Sequence, residues 1–396
     1  MLNSVLLVIV SLDGKISSTQ IKLNMKKSIY VAATGQHVGK TTSTLGLTAS
    51  LSSLNLQGVG YCKPVGQEVK DFENLTVDKD AFLFSRIMNF ELSQKIHSPV
   101  ILGKGATTDY LDDPAKYPYR KNILDAADFL HQNNEVVVYE GTGHPGVGSI
   151  VNLSNAEVAK LLDAKVVMVV EGGIGNTIDQ LNLSLALFRE KNVPIIGVIV
   201  NKVLPKKMEK VEHYVGKKLE QMGIPLLGLL PYEKRMSYPI MYTVKEAIKG
   251  KSMYHEKKLL NRIEKIIPGS LVYDVENIHK CSNQLLVVSY KRANESIRTV
   301  EMVTAKMGRE TCPLAGIILT GEGRLNPGQG EHPIVNMEYI NKHQLPVVST
   351  TLDTLGAYTK INQIEVKINT DTPWKVKRAI ELIKNHVDLE KIMASF

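Results

Sequence analysis

Short apolar runs recur along the chain, each followed by a turn and then by a stretch compatible with a helix. Ile29-Tyr30-Val31 opens the series, and Val59–Val65, Glu135–Gly141, Lys165–Val170, Ile195–Val200 and Leu226–Leu230 continue it. The run within Glu135–Gly141 is apolar without alternation, as a strand buried on both faces requires. Between the runs lie helix-compatible segments: Ser43–Leu54, Ala81–Met88, one near Asn122–Gln132 and one reaching Asp163. Ser154-Asn155-Ala156-Glu157 is a capping box that opens the last of these. Strands joined by long, helix-bearing connections predict a mostly parallel sheet with right-handed crossovers and helices on both faces.

The pattern shifts after Lys249. Gly250–Ile267 is polar and helix-prone and ends at Pro268-Gly269. Leu285–Ser289, Ala315–Thr320, Pro346–Thr350 and Ile364–Ile368 then read as strands, separated by helices near Ala293–Lys306, Pro333–Lys342 and Pro373–His386. The expected organisation is an α/β domain over residues 25–250 and a smaller α/β domain over 251–396. Residues 1–24 fit neither domain. Met25-Lys26-Lys27-Ser28 leads straight into the first strand, so they are expected to be a disordered arm or a stretch ahead of the natural start. Residues 103–120 (GKGATTDYLDDPAKYPYR) are polar and turn-rich and predict an active-site or interface loop.

Composition narrows the function classes. With 43% hydrophobic and 22% charged residues the chain reads as an ordinary globular protein, and 396 residues suffice for two domains. The net charge of +8 raises the question of nucleic acid. Lys and Arg are nevertheless spread along helical stretches (Lys206-Lys207, Lys217-Lys218, Lys257-Lys258) with no aromatic interleaving, so no nucleic-acid partner is expected. Cys62, Cys281 and Cys312 lack metal-ligand spacing and cannot pair evenly, which points to a reducing, cytoplasmic setting. The apolar run Val5–Val10 is far too short to span a bilayer and lacks the basic flank of a secretory signal.

The chemistry concentrates in Ile29–Thr44, IYVAATGQHVGKTTST. A strand, a Gly-bearing loop with Lys-Thr and then a helix make up a phosphate-binding loop: backbone N–H groups curl into an anion nest, and the helix adds unpaired donors and the positive end of its dipole. The usual spacing is G-x-x-x-x-G-K-[ST]. Thr34 stands where the first Gly belongs, with Gly35 one place later. Thr34, Gly35, Gln36, His37, Val38, Gly39, Lys40, Thr41 and Thr42 are the candidate nucleotide-binding residues, with Lys40 reaching the β- and γ-phosphates and the Thr41 hydroxyl placed for Mg²⁺. Three further signals follow. Lys63 ends the second strand at Pro64, at the end of the sheet that faces a ligand crevice. Glu140 is an acid at the tip of a buried strand, as a Mg²⁺ site demands. Asp80 opens a helix, with Asp78 as the alternative acid. His37 and His144 flank the phosphate position and read as polar loop residues.

Together these residues resemble dethiobiotin synthetase and the related ATP-dependent cobyrinate amidases. The family's T-G-x-x-V-G-K-T loop is matched by Thr34 through Thr41, its K-P-V by Lys63-Pro64-Val65, its Asp-Ala helix start by Asp80-Ala81, and its E-G-x-G by Glu140 through Gly143. Asn201, after a late strand, is similar to the family's base-proximal Asn. The resemblance implies a P-loop NTPase fold and ATP with Mg²⁺ as cofactors. It further implies catalytic roles for Lys40 and Lys63, metal ligation by Thr41, Asp80 and Glu140, a small-molecule carboxylate or amine substrate, and a homodimer.

The stretch from Glu140 to Leu181 is similar to the dethiobiotin-synthetase-like amino-terminal module of long phosphotransacetylases, which is followed there by a DRTGG domain. Gly316–Gly321 and Thr351–Leu355 look like that domain's two signature turns, although Glu322 departs from its paired Gly. No acetyl-transferring domain is expected within these 396 residues.

Two functions compete. One is ligase-type phosphoryl transfer from ATP to a carboxylate or carbamate. The other is a nucleotide-sensing regulatory protein acting through the DRTGG-like domain. A partitioning or metallochaperone ATPase would carry a Lys five places before Lys40, where Gly35 stands instead. Gly141-Thr142-Gly143-His144 departs from E-G-A-G-G of true dethiobiotin synthetase, so biotin synthesis is not the favoured reaction.

Overall fold

The computed structural model describes residues 26–72, 75–268, 282–306, 308, 311–321 and 337–396, together with the backbone of strands at 4–10 and 16–22. The chain divides into two units, Met1–Tyr232 with Pro373–Phe396, and Glu233–Thr372. At the start, β1 (Ser4–Val10) and β2 (Ile16–Lys22) pair with each other as an antiparallel ribbon.

The first unit is built on six strands, β3 (Lys27–Ala33), β4 (Val59–Cys62), β9 (Val136–Glu140), β10 (Lys165–Glu171), β11 (Ile195–Val203) and β12 (Leu226–Pro231). Their order is β12-β11-β10-β3-β9-β4, every pair parallel. Two smaller pairs sit beside them: β5 (Val65–Gly66) with β8 (Val100–Ile101), and the hairpin of β6 (Val69–Phe72) with β7 (Leu75–Asp78). Strand periodicity sorts the side chains. Val166, Met168 and Val170 face one core with helices α3 (Tyr119–Asn133), α4 (Asn155–Leu161), α5 (Gly175–Glu190) and α6 (Met208–Gln221). Val167 and Val169 face the other core, under α1 (Lys40–Ser52) and the helix Pro373–His386. The connection after β3 therefore leaves on a different face from those after β9 and β10. Such a divergence opens a crevice at the strands' carboxyl ends.

The second unit carries five strands, β13 (Lys251–Tyr254), β14 (Lys265–Pro268), β15 (Gln284–Ser289), β16 (Leu314–Thr320) and β17 (Val347–Thr350), in the order β13-β17-β16-β15-β14. All pairs are parallel except β13 with β17. Helices Tyr290–Lys306 and Met337–Lys342 cover one face, and Met241–Ala247 and Thr354–Asn362 the other.

The structure corrects several expectations. Residues 373–396 belong to the first unit, not the second, because Leu382, Ile383, Val387 and Ile392 complete the core beneath α1. Gly250–Ile267 holds two strands where helix was expected, since pairing with β17 and β15 decides what polar, marginal propensities cannot. Ile364–Ile368 is irregular rather than a strand; β17 already has β16 on one side and β13 on the other. Residues 103–120 contain a helix at Ala106–Asp112 and a 3₁₀ turn at Pro114–Lys116. Residues 333–336, Cys281 and Glu322 lie outside the described residues. Among those described, no helix is long and apolar enough to cross a membrane.

Candidate functional site

The loop between β3 and α1 occupies the crevice. Thr34 N–H donates to the Val169 carbonyl at 3.2 Å, fixing the loop's start to the neighbouring strand. His37 adopts φ 58° and Gly39 φ 98°, so the backbone turns through the left-handed region twice before α1 begins. A Cβ on Gly39 would lie 2.0 Å from Asn201 Nδ2, which leaves room only for glycine. The helix starts at Lys40, three residues earlier than the apolar pattern predicts, and carries no side-chain cap. Its first-turn N–H groups therefore face the loop.

Strand β11 grips this loop from the side. Asn201 Nδ2 donates to the Val38 carbonyl at 2.8 Å, and Asn201 Oδ1 accepts from Lys202 N–H at 2.8 Å. Lys202, itself left-handed at φ 58°, donates to the His37 carbonyl at 2.6 Å and contacts Glu171 at 3.4 Å. The structure thus brings Asn201 to the loop backbone.

Glu140 continues the Val136–Val138 face of β9, the face on which α1 packs, so its carboxylate meets the helix. Thr41 Oγ1 donates to Glu140 Oε1 at 2.6 Å, and Tyr61 OH donates to Oε2 at 3.0 Å. Glu140 is fully buried. Burial, helped by the charge of Asp80, pushes its carboxyl up to about 7 against the pull of Lys63 and Lys40. Burial likewise brings the Lys40 ammonium down to about 8, partly offset by Glu140. Lys40 Nζ donates to the Gly143 carbonyl at 3.3 Å.

Lys63 lies just past β4 and is buried. Burial alone would favour its neutral form, yet Asp80 and Asp78 hold the ammonium well above its ordinary range. Its partners are Asp78 Oδ1 at 2.9 Å and Asp80 Oδ2. The two acids differ. Asp78 is inaccessible to solvent, caps the helix α2 (Lys79–Met88) through Asp80 N–H, and accepts from the N–H groups of Gln67 and Glu68. Asp80 keeps 23% of its side chain exposed. Asp78 is thus the cap, and Asp80 the acid open to the crevice.

Two other loop residues sit elsewhere. The side chain of His37 is exposed. His144 Nδ1 accepts from Gly146 N–H at 3.2 Å within its own turn. The sequence reading did not pick out Tyr61, Asn155 or Lys202. Their partners lie on distant strands and loops, and no local spacing announces them.

A family model, AAA_26 (AAA domain), matches residues 27–239. The chain belongs to that family. Among relatives of this AAA-domain chain, the ATP-dependent dethiobiotin synthetase BioD 2 of Salmonella typhi is 29% identical over 217 residues, 53% of this chain and 89% of that protein. The phosphate acetyltransferase of Acinetobacter baylyi is 22% identical over 395 residues, 91% of this chain and 51% of that protein. The AAA-domain chain thus spans about half the length of the phosphate acetyltransferases it matches. A plasmid partition protein from Borrelia burgdorferi superposes with a TM-score of 0.35 at 14% identity, over 52% of this chain and 91% of that one, too loosely to carry a functional argument.

Proposed function

We propose that the chain binds Mg²⁺–ATP at the loop between β3 and α1 and transfers the γ-phosphoryl group to a carboxylate or carbamate of a small molecule. The observation that carries this reading is the meeting of Lys40, Thr41 and Glu140 at the carboxyl ends of the strands, with Lys63 and Asp80 alongside. The donor set fits a magnesium ion bound to phosphates. Thr41, Glu140 and Asp80 are hard oxygen ligands. Among the described residues no cluster of three acids, histidines or cysteines offers a complete protein cage, so phosphate oxygens and water would complete the shell. When bound, the ion would offset charge developing on the transferred group. Lys40 and Lys63 are ammonium groups suited to the same task. The AAA-domain family and the likeness to the ATP-dependent dethiobiotin synthetase BioD 2 support this choice.

A second reading keeps the nucleotide site and replaces chemistry with sensing. It draws on the alignment to phosphate acetyltransferases, which continues through the second unit. Two variants separate the readings. Lys40→Ala is expected to abolish Mg·ATP binding in calorimetry; retained affinity removes the nucleotide site itself. Lys63→Ala is expected to leave binding nearly intact and to lower turnover in a hydrolysis assay run with bicarbonate, diamines and a carboxylate panel. Unchanged turnover favours sensing.

A further inference from the structure

The loop after β9 is held by one side chain that belongs to neither the phosphate loop nor the acids. Asn155 is 4% exposed and uses its full hydrogen-bonding capacity. Its Oδ1 accepts from Tyr30 OH at 2.8 Å and from Thr142 N–H at 2.9 Å. Its Nδ2 donates to the carbonyls of Thr142 at 2.8 Å and His144 at 2.6 Å. The backbone partners fix the orientation of the amide, because an N–H can only donate and a carbonyl can only accept.

Helix initiation does not explain this. Asn155 is the first residue of α4, whose cap is already complete: Ser154 and Glu157 form a reciprocal capping box. All four bonds of the Asn155 side chain therefore serve the loop Gly141–His144 and its tie to Tyr30 on β3. The loop is tight as well as tethered. A Cβ on Gly141 would meet Asn155 Oδ1 at 2.5 Å and Tyr30 Cε1 at 2.9 Å, and Gly143 turns through φ 58°. Gly143 is also the residue whose carbonyl receives Lys40.

We infer that Asn155 is a positioning residue: by tying the loop Gly141–His144 to β3, it holds the Gly143 carbonyl and Lys40 in register for a terminal phosphate. This rests on the nucleotide reading above. Lys40 serves both the β- and the γ-phosphate, so a loss of register should weaken a triphosphate, which uses both contacts, more than a diphosphate, which uses one. A displacement of about 1 Å in such a constellation lowers rates by about a hundredfold in unfavourable cases.

The test uses the full chain and three proteins: wild type, Asn155→Asp and Tyr30→Phe. Asn155→Asp keeps an acceptor for Thr142 N–H and turns both donors into acceptors facing carbonyls. Tyr30→Phe removes only the anchor on β3 and leaves the loop's own bonds in place. Calorimetric titration with Mg·ADP and with Mg·AMPPNP, alongside thermal melts, reads the outcome. In Asn155→Asp the preference for AMPPNP over ADP is expected to fall by about tenfold, with the affinity for ADP, which keeps the β-phosphate contact of Lys40, falling by much less than that for AMPPNP. Tyr30→Phe is expected to shift the same ratio in the same direction by less. Affinities that fall together, or a ratio unchanged in folded variants, overturn the assignment. Should Asn155→Asp fail to fold, Tyr30→Phe decides alone, and an unchanged ratio there is enough to reject it. If wild type binds neither nucleotide, the nucleotide reading itself falls, a result distinct from an unchanged ratio.

Discussion

Tyr61 shows how much of this site depends on contacts between side chains. Its ring stacks on Phe84 at 3.6 Å while its hydroxyl holds one oxygen of Glu140. Tyr61→Phe keeps the stack and removes the donor, so stability should drop by about 1 kcal/mol in urea unfolding, with the fold intact by circular dichroism. Two histidines carry a pH signature. Burial lowers both His97 and His131 to about 4, the charge of Lys26 adding to the effect at His131. Between pH 6.5 and about 4 the unfolded chain takes up protons at these two histidines that the folded chain refuses, so their contribution to stability falls as pH drops through that window, against the opposite contribution of the raised Glu140 carboxyl. His97→Gln and His131→Gln should flatten that slope in denaturant titrations across it. At this scale the sequence was legible where chemistry is local. Lys40 and Thr41 follow from one loop, and Glu140 from one strand tip. The choice between Asp78 and Asp80 stayed open because it turns on which one caps a helix. Asn155 was hidden because Tyr30, its anchor, lies 125 residues away.

Among elements, the buried parallel strands were the easiest to read, since both faces demand apolar residues. Lys165–Val170 fell one residue short of β10. The failures share a cause. Gly250–Ile267 and Ile364–Ile368 are marginal segments whose state depends on which strand edge is available, and no local pattern records that. Helix α1 shows the opposite case, a strong local signal with a hidden partner. Gly46 lies where α1 meets the helix Pro373–His386; a Cβ there would come within 2.4 Å of Ile383 Cγ1 and 2.6 Å of the Ala379 carbonyl. Gly46→Ala would gain about 1 kcal/mol of helix propensity and lose about 1–3 kcal/mol to overpacking. The expected net result is a lowered melting temperature, the reverse of what a helix scale alone predicts.

For the molecule as a whole, two α/β units are legible in the sequence, but residues 373–396 are assigned to the wrong one when chain order is the guide. Cutting at the boundary expected from composition would remove Leu382, Ile383, Val387 and Ile392 from the core they share with Leu47 and Leu51. A fragment of residues 26–232 is therefore expected to aggregate or to lack a cooperative melt. The same fragment joined to residues 373–396 by a flexible Gly/Ser linker should regain one, as calorimetry can check. Equal cooperativity in the two fragments would mean that these helices add nothing to that core.

The outer edge of β12 has its own consequence. Asp388 N–H donates to the Leu227 carbonyl at 2.8 Å, and a Cβ on Gly228 would strike the His386 carbonyl at 2.0 Å. The residues that seal this edge are translated only after the whole of 233–372 has emerged. During synthesis the sheet waits with an open flank, the kind that invites pairing with a neighbouring chain. A ribosome-bound intermediate stalled before residue 373 should accordingly engage chaperones more strongly than one released after the tail has closed.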